Sequence, residues 1–289
     1  MLKLFRIVIF SLSGVFILLI SISVKDYKPT FKTVTFRTEE VALLEPGFIF
    51  SQSGVTVKPI HYIGKINFAS INPEERKEKF IQYLLPSVII VKDKLLNDLH
   101  RIEFIEKRLQ AKAELSLEDA AFFKETMQLY EAESINDLKI KLYPPPVSLI
   151  LAQAALESGW GTSRIFRLAN NPFGIISSSR EDTRIKNLLL SDIEVEIFMR
   201  SYSSVTEAVE HYCLITSKLR AYKQYREKRW EGASSTELIQ YLDKYHRSDD
   251  YLSLAKSIIS QNRLQEYDIM TIDPQYVNKE GLLSMLMKN

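Results

Sequence analysis

The sequence predicts a mainly α fold with one small β element, and three observations carry that prediction. An almost uninterrupted apolar run, Val147–Leu156, is framed by Pro144-Pro145-Pro146 before it and by Gly159 and Gly161 after it. Apolar residues recur at helical spacing from Pro73 onward and again after Ser203. Strict alternation is confined to short stretches, the clearest being Ile193–Phe198. No repeat period and no glycine-rich phosphate loop appears.

The apolar run is the organising element. Proline suits the first helical positions and cannot continue a helix from within, so the three prolines supply a stiff entry. A helix apolar on all sides has no solvent face and belongs in the middle of a domain. Glycine commonly follows a helix C-terminus, which places the stop at Gly159. The one ionisable group this helix delivers is Glu157, in its last turn. A carboxylate there faces the negative end of the helix dipole, and burial also disfavours its charged form. Both effects favour the protonated acid that general acid catalysis needs. For an arbitrary helix the plainer reading is a terminal glutamate pointing into water. The Gly-Trp-Gly that closes this one tilts the reading toward function.

Taken in order, the chain opens with Lys3 and Arg6 ahead of an uncharged apolar run, Ile7–Val24. Its length lies between a signal-peptide core and a short membrane span, and residues 1–24 read as a signal-anchor or signal peptide. An uncleaved anchor is the preferred reading, with the body in the cell envelope outside the cytoplasm. Residues 25–70 read as a linker with short strands, with Pro46-Gly47 as a turn. Residues 71–142 read as a helical lead-in, interrupted at Pro86, with a second helix starting at Ser116. After the central helix, Asn170-Asn171-Pro172-Phe173-Gly174 is a turn signal followed by a short apolar strand. The alternating strand puts Ile193, Val195 and Ile197 on one face and Glu194 and Glu196 on the other. Ser203 or Ser204 then opens a helix with Ala208 and Tyr212 inward. Two more helices follow, in ELIQYLDKY and YLSLAKSIISQNRL, and residues 271–289 read as a tail.

Composition narrows the function. A net charge of +2 with basic residues spread throughout gives no nucleic-acid surface. A single cysteine, Cys213, excludes an intrachain disulfide framework and reads as a small buried hydrophobe. His61, His100, His211 and His246 lack ligand spacing, so neither a metal nor a cofactor is expected.

Several motifs resemble one family. AQAALESGWGTSRI, NNPFGI, FMRSYSSVTEAVEHY and AYKQYREKR, in that order, are similar to the glucosaminidase family, glycoside hydrolase family 73. KFIQYLLPSV and YLDKYHRSDDYLSLAKSIISQNRLQEYD resemble its Bax-type branch in particular, and the resemblance covers roughly residues 75–270. It implies a lysozyme-like catalytic domain over residues 143–270, with a small β-hairpin lobe over a sugar cleft. It implies cleavage of the β-1,4 bond between N-acetylglucosamine and N-acetylmuramic acid in peptidoglycan glycan strands. Glu157 matches the family's catalytic acid. Trp160 and Phe173 match aromatic positions near the cleft, where a ring either stacks on a sugar or packs the helix end against the hairpin. Asn171 matches a residue that fixes the turn or contacts substrate. Tyr202 follows the second hairpin strand, where its hydroxyl would orient water or the N-acetyl group. Tyr245 falls near another family tyrosine. For a second carboxylate Glu194 aligns best and Glu196 next, while the divergent loop before them keeps Asp182 and Asp192 in play. Inversion, retention and attack by the substrate's own N-acetyl group all stay open. Two rivals remain: a lytic transglycosylase acting on the same polymer, and an inactive wall-binding or scaffolding protein.

Overall fold

The computed structural model describes residues 35–41, 49–51, 54–62, 66–186, 196–242 and 249–278. The apolar run Ile7–Val24, the Pro46-Gly47 turn, Asp192, Glu194, Tyr245 and His246 lie outside them. Three short strands come first: β1 (Glu39–Val41), β2 (Thr56–Val57) and β3 (Ile60–Tyr62). Helices α1 (Pro73–Gln110), α2 (Leu117–Leu129), α3 (Ile135–Leu142), α4 (Val147–Ser158) and α5 (Arg164–Ala169) follow. A hairpin, β4 (Arg184–Lys186) and β5 (Phe198–Arg200), separates these from α6 (Val205–Lys218), α7 (Lys223–Trp230), α8 (Ser235–Leu238) and α9 (Asp249–Gln261). The last strand is β6 (Thr271–Ile272). The fold is mainly helical with three two-stranded sheets among the described residues.

Helix α1 is the spine rather than a lead-in. Asn72 caps it by accepting from the Glu74 N–H, and Pro73 occupies the first turn, where its missing N–H costs nothing. The expected interruption at Pro86 does not occur: the helix runs through it for 38 residues. A mid-helix proline leaves the carbonyl four residues earlier without its helical partner. Here every residue from Phe80 to Val91 is buried, so the packing of that stretch offsets the loss. A helix buried all round over three turns is an axis of the core.

The second axis is α4, buried from Val147 to Ala155 as its apolar run requires. Pro146 offers no capping side chain, so the cap comes from the far end of the chain. Asp268 accepts from the Ser148 N–H and the Ser148 hydroxyl, each at 2.8 Å. Lys92 of α1 locks that segment by donating to the carbonyls of Asp268 at 2.6 Å and Met270 at 3.1 Å.

The segment expected to be a linker is folded onto this core. Ile49, Val57, Ile60 and Phe68 are fully buried in the same apolar cluster as α1 and α4. β1 pairs parallel with β3, and β2 pairs parallel with β6, while Phe36 bridges Val277. The described part of the expected tail is therefore the partner strand of the N-terminal region. The apolar side chains at alternate positions of short strands had no other place to be buried.

Candidate active site

Glu157 stands where the sequence puts it, half-buried in the last turn of α4. The termination of that turn is built in detail. Gly159 takes the left-handed conformation at φ 56°, and the Trp160 N–H donates back to the Ala155 carbonyl at 2.8 Å. Ser158 donates its hydroxyl to the Ala154 carbonyl at 2.6 Å and accepts from the Gly161 N–H at 2.9 Å. Gly161 is required twice over. Its φ is +80°, and a Cβ there would lie 2.7 Å from a ring carbon of Phe68. Phe68, Phe80, Tyr83 and Phe166 form an aromatic cluster beneath this turn, with ring centroids 5.6–6.3 Å apart. The end of α4 thus rests on a rigid floor.

Two elements close on Glu157 from other directions. From α9, the hydroxyl of Tyr251 donates to Glu157 Oε1 at 3.0 Å. Burial, followed by the charge and the hydrogen bond of Glu157, raises the pKa of Tyr251, so its proton stays on the phenol. From the turn after α5, Gly174 faces the other oxygen: a Cβ there would sit 3.9 Å from Glu157 Oε2 and 4.0 Å from the Met199 methyl of β5. The acid lies between a helix that supplies a phenol and the base of the hairpin lobe.

The hairpin lobe is held by its own bonds. β4 and β5 pair antiparallel, Ile185 opposite Met199, and Ile176 bridges Met199 on the other edge of β5. The Ser177 N–H donates to the Phe198 carbonyl at 2.8 Å and the Arg200 N–H to the Ile175 carbonyl at 2.9 Å. Asn171 is 1 % exposed, and its amide donates to the carbonyls of Ile175 and Arg200 at 2.9 Å each while accepting from the Ile175 N–H at 3.0 Å. Its amide is spent on bracing the lobe, which leaves it no face for a sugar. Phe173 is 1 % exposed and stacked on Tyr212, ring centroids 4.3 Å apart, so it too is a packing residue.

Tyr202 is 5 % exposed, and its hydroxyl meets His211 Nδ1 of α6 at 2.7 Å. It borders a cavity of about 320 Å³ shared with Arg200, Glu207 and His211, of which Glu157 is not a wall. The expectation that this hydroxyl orients water beside the acid is therefore replaced by a tie between the lobe and α6. Trp160 is half-buried, edge-on to Phe80 at 5.9 Å, with the Lys77 ammonium 5.5 Å from its ring centroid. It lines a groove of about 300 Å³ with Gly159, Leu156 and the α9 residues Leu254, Ile258 and Gln261. That groove flanks the turn bearing Glu157.

Two of the described lobe carboxylates, Glu196 and Asp182, are each engaged by a cation. Glu196 accepts from Lys186 at 2.6 Å and is largely exposed. The hydrogen bond and charge of that lysine hold its carboxyl below the ordinary range. Asp182 pairs with Arg200 at 3.2 Å and accepts from the Ser177 hydroxyl at 3.0 Å. Burial works to raise its pKa, but those partners together hold it below the ordinary value. Cys213 is buried, and burial pushes its thiol up to about 12, which makes it inert.

The sequence profile of the glucosaminidase family, described as mannosyl-glycoprotein endo-beta-N-acetylglucosaminidase, matches residues 132–279, just over half of the chain. The chain belongs to the glucosaminidase family. Among curated proteins, protein bax of Escherichia coli is 28% identical over 112 residues, 39% of this chain and 38% of that relative. The chain thus aligns with well under half of that relative's length. Among solved structures, the catalytic domain of the autolysin Auto from Listeria monocytogenes is 26% identical, with 57% of this chain and 96% of that one covered at a TM-score of 0.37. The C-terminally truncated glycoside hydrolase domain of FlgJ from Salmonella typhimurium is 25% identical, with 48% and 97% covered at a TM-score of 0.33.

Within this family frame, the contact that sequence reasoning missed is Tyr251. The late segment drew attention to Tyr245, while Tyr251, on the inner face of α9, reaches the acid. Gln153 was missed as well. A polar residue four positions before Glu157 in an otherwise apolar helix shares its face, and that spacing was the available signal.

Proposed function

We propose that the chain is a peptidoglycan N-acetylglucosaminidase whose general acid is Glu157, with a helical body and a β-hairpin lobe arranged as in lysozyme. The observation that carries the reading is Glu157 at the end of a buried helix, with one oxygen on the Tyr251 phenol and the other turned to the lobe. In that reaction Glu157 gives its proton to the glycosidic oxygen as the C–O bond breaks, and water adds its oxygen to the anomeric carbon while passing one proton to a carboxylate. The weight of the reading rests on the family and the site. Glu194 is proposed as the second carboxylate because it aligns best with the family's lobe glutamate; Glu196 and Asp182, paired with Lys186 and Arg200, are proposed to hold the lobe. Residues 1–24 are proposed to tether the enzyme to the membrane, with the body in the envelope. Among the described residues no helix is long and apolar enough to cross a membrane.

The test is to digest purified peptidoglycan with the full-length protein and with Glu157→Gln, then identify the new ends by mass spectrometry. N-acetylglucosamine reducing ends that disappear in Glu157→Gln are the expected result. Anhydromuramic ends would reassign the enzyme to the transglycosylases. Glycan binding without any product from folded protein would reassign it to a scaffold.

A further inference from the structure

Behind Glu157 runs a chain of side chains from three helices, all pointing the same way. The Tyr212 hydroxyl of α6 donates to Gln153 Oε1 of α4. Gln153 Nε2 donates to the Tyr251 hydroxyl oxygen of α9 at 3.2 Å. Tyr251 donates to Glu157 Oε1 at 3.0 Å. Gln153 and Tyr212 are fully buried and Tyr251 is 7 % exposed.

The polarity of such a chain is not arbitrary. An ionised carboxylate only accepts, so Tyr251 must give it the single phenolic proton. Tyr251 can then only accept from Gln153, which must turn its amide N–H toward α9 and its carbonyl toward Tyr212. Turning the amide over would reverse every bond. Tyr251 would donate to the Gln153 carbonyl, and Glu157 would need its own proton on Oε1 to bond the phenol. The acceptor-only carboxylate of Glu157 at one end, with the Tyr212 hydroxyl donating at the other, holds the amide in the first orientation. Burial, first, and then Glu157 keep Tyr251 protonated as a donor. The titratable side chains acting on Tyr251 among the described residues are Glu157 and, from the turn after α6, Tyr222.

We propose that Gln153, anchored by Tyr212, is a positioning residue that fixes Tyr251 as the donor to Glu157 Oε1, so that the transferable proton is carried on Oε2. That oxygen is the one against Gly174 at the base of the lobe, where a Cβ would be 3.9 Å away. The amide therefore selects which lone pair of the acid faces the glycosidic bond. The role of this proton in catalysis rests on the reading of Glu157 as the acid, whereas the polarity of the chain does not.

Both parts are separable by experiment. The full-length protein is labelled with carboxyl-¹³C glutamate, and the Glu157 signal, assigned by its loss in Glu157→Gln, is titrated. The pH profile of kcat/KM on solubilised glycan strands is measured beside it. Wild type is compared with Gln153→Met, Tyr251→Phe and the double variant. Removing the amide weakens Tyr251 as a donor, so the carboxylate is less stabilised. The Glu157 midpoint and the alkaline limb of kcat/KM should both move to higher pH by about half a unit. Tyr251→Phe should move them at least as far, and adding Gln153→Met to it should move them no further. A midpoint that stays put in folded Gln153→Met, or shifts that add in full in the double variant, would overturn the relay. Midpoints that move as expected while hydrolysis ignores Glu157 would uphold the relay and dismiss the acid assignment. Should Gln153→Met fail to fold, Tyr212→Phe removes the anchor at the cost of one oxygen and gives the same two readouts.

Discussion

Among the described residues, Glu157 at the end of α4 and the acids Glu196 and Asp182 of the hairpin lobe are held by different kinds of donor. Glu157 takes a hydrogen bond from a neutral phenol, itself fed by a buried amide. Glu196 and Asp182 take theirs from Lys186 and Arg200. A cation close to a carboxylate favours its charged form, which suits a surface clasp and disables a proton donor. A neutral donor orients the acid without supplying a charge. The Tyr251 bond fixes one oxygen of Glu157 without adding a charge beside it.

The largest effect expected from this contrast is on chemistry. Glu157→Gln keeps the Tyr251 bond through its amide oxygen but carries no acidic proton. Turnover should fall by about 10²–10⁴-fold with the far-ultraviolet dichroism unchanged. Loss of less than tenfold would remove the distinction between the two regions.

The floor beneath the acid comes next. Gly161→Ala would drive a methyl group to 2.7 Å from Phe68 in a left-handed backbone, and the helix end would have to move. A loss of about 2–4 kcal/mol in chemical denaturation is expected, with reduced turnover. An unperturbed unfolding curve would show that the aromatic floor yields.

The lobe clasp should matter less, and with a definite pH dependence. The Asp182 carboxyl titrates below its ordinary value in the folded protein. A group depressed on folding stabilises at pH above its unfolded value, and that stabilisation is lost as pH falls through the folded value. The difference in stability between wild type and Asp182→Asn should therefore be constant near neutrality, under about 1 kcal/mol, and vanish in strong acid. A difference that grew on acidification would contradict the assignment.

The smallest effect is predicted for Glu196→Gln. That side chain is largely exposed and its partner Lys186 is nearly half-exposed. The melting temperature should not change, and turnover should change less than threefold if Glu196 is a clasp. A hundredfold loss would make it the second carboxylate.

These particulars also show what could be read from the chain alone. The helix α4, its proline entry, its glycine stop and the placement of Glu157 follow from local rules, because prolines, glycines and apolar period act within a few residues. The cap Ser116 was legible for the same reason, and of the two candidates Ser203 and Ser204 the structure uses Ser204, each cap accepting from the N–H three residues on. The helix through Pro86 was not, because the burial of Phe80–Val91 that overrides the lost hydrogen bond comes from distant segments. Nor was the clasp of β2 on β6, in which Thr56 pairs with Thr271 across the whole chain. At the site, Asn171 and Phe173 bore the right residue types for sugar contact, but exposure is decided by what packs over them. Asn171 is covered by the lobe backbone and Phe173 by Tyr212.

The central claim is that the proton comes from the end of α4 and not from the lobe acids described here. It is tested most directly by digesting the same peptidoglycan with equal amounts of folded Glu157→Gln and of the double variant Asp182→Asn/Glu196→Gln. The account predicts that the first releases no new reducing ends above background while the second stays within tenfold of wild type. Release by Glu157→Gln at the wild-type rate, with the double variant silent, would contradict it.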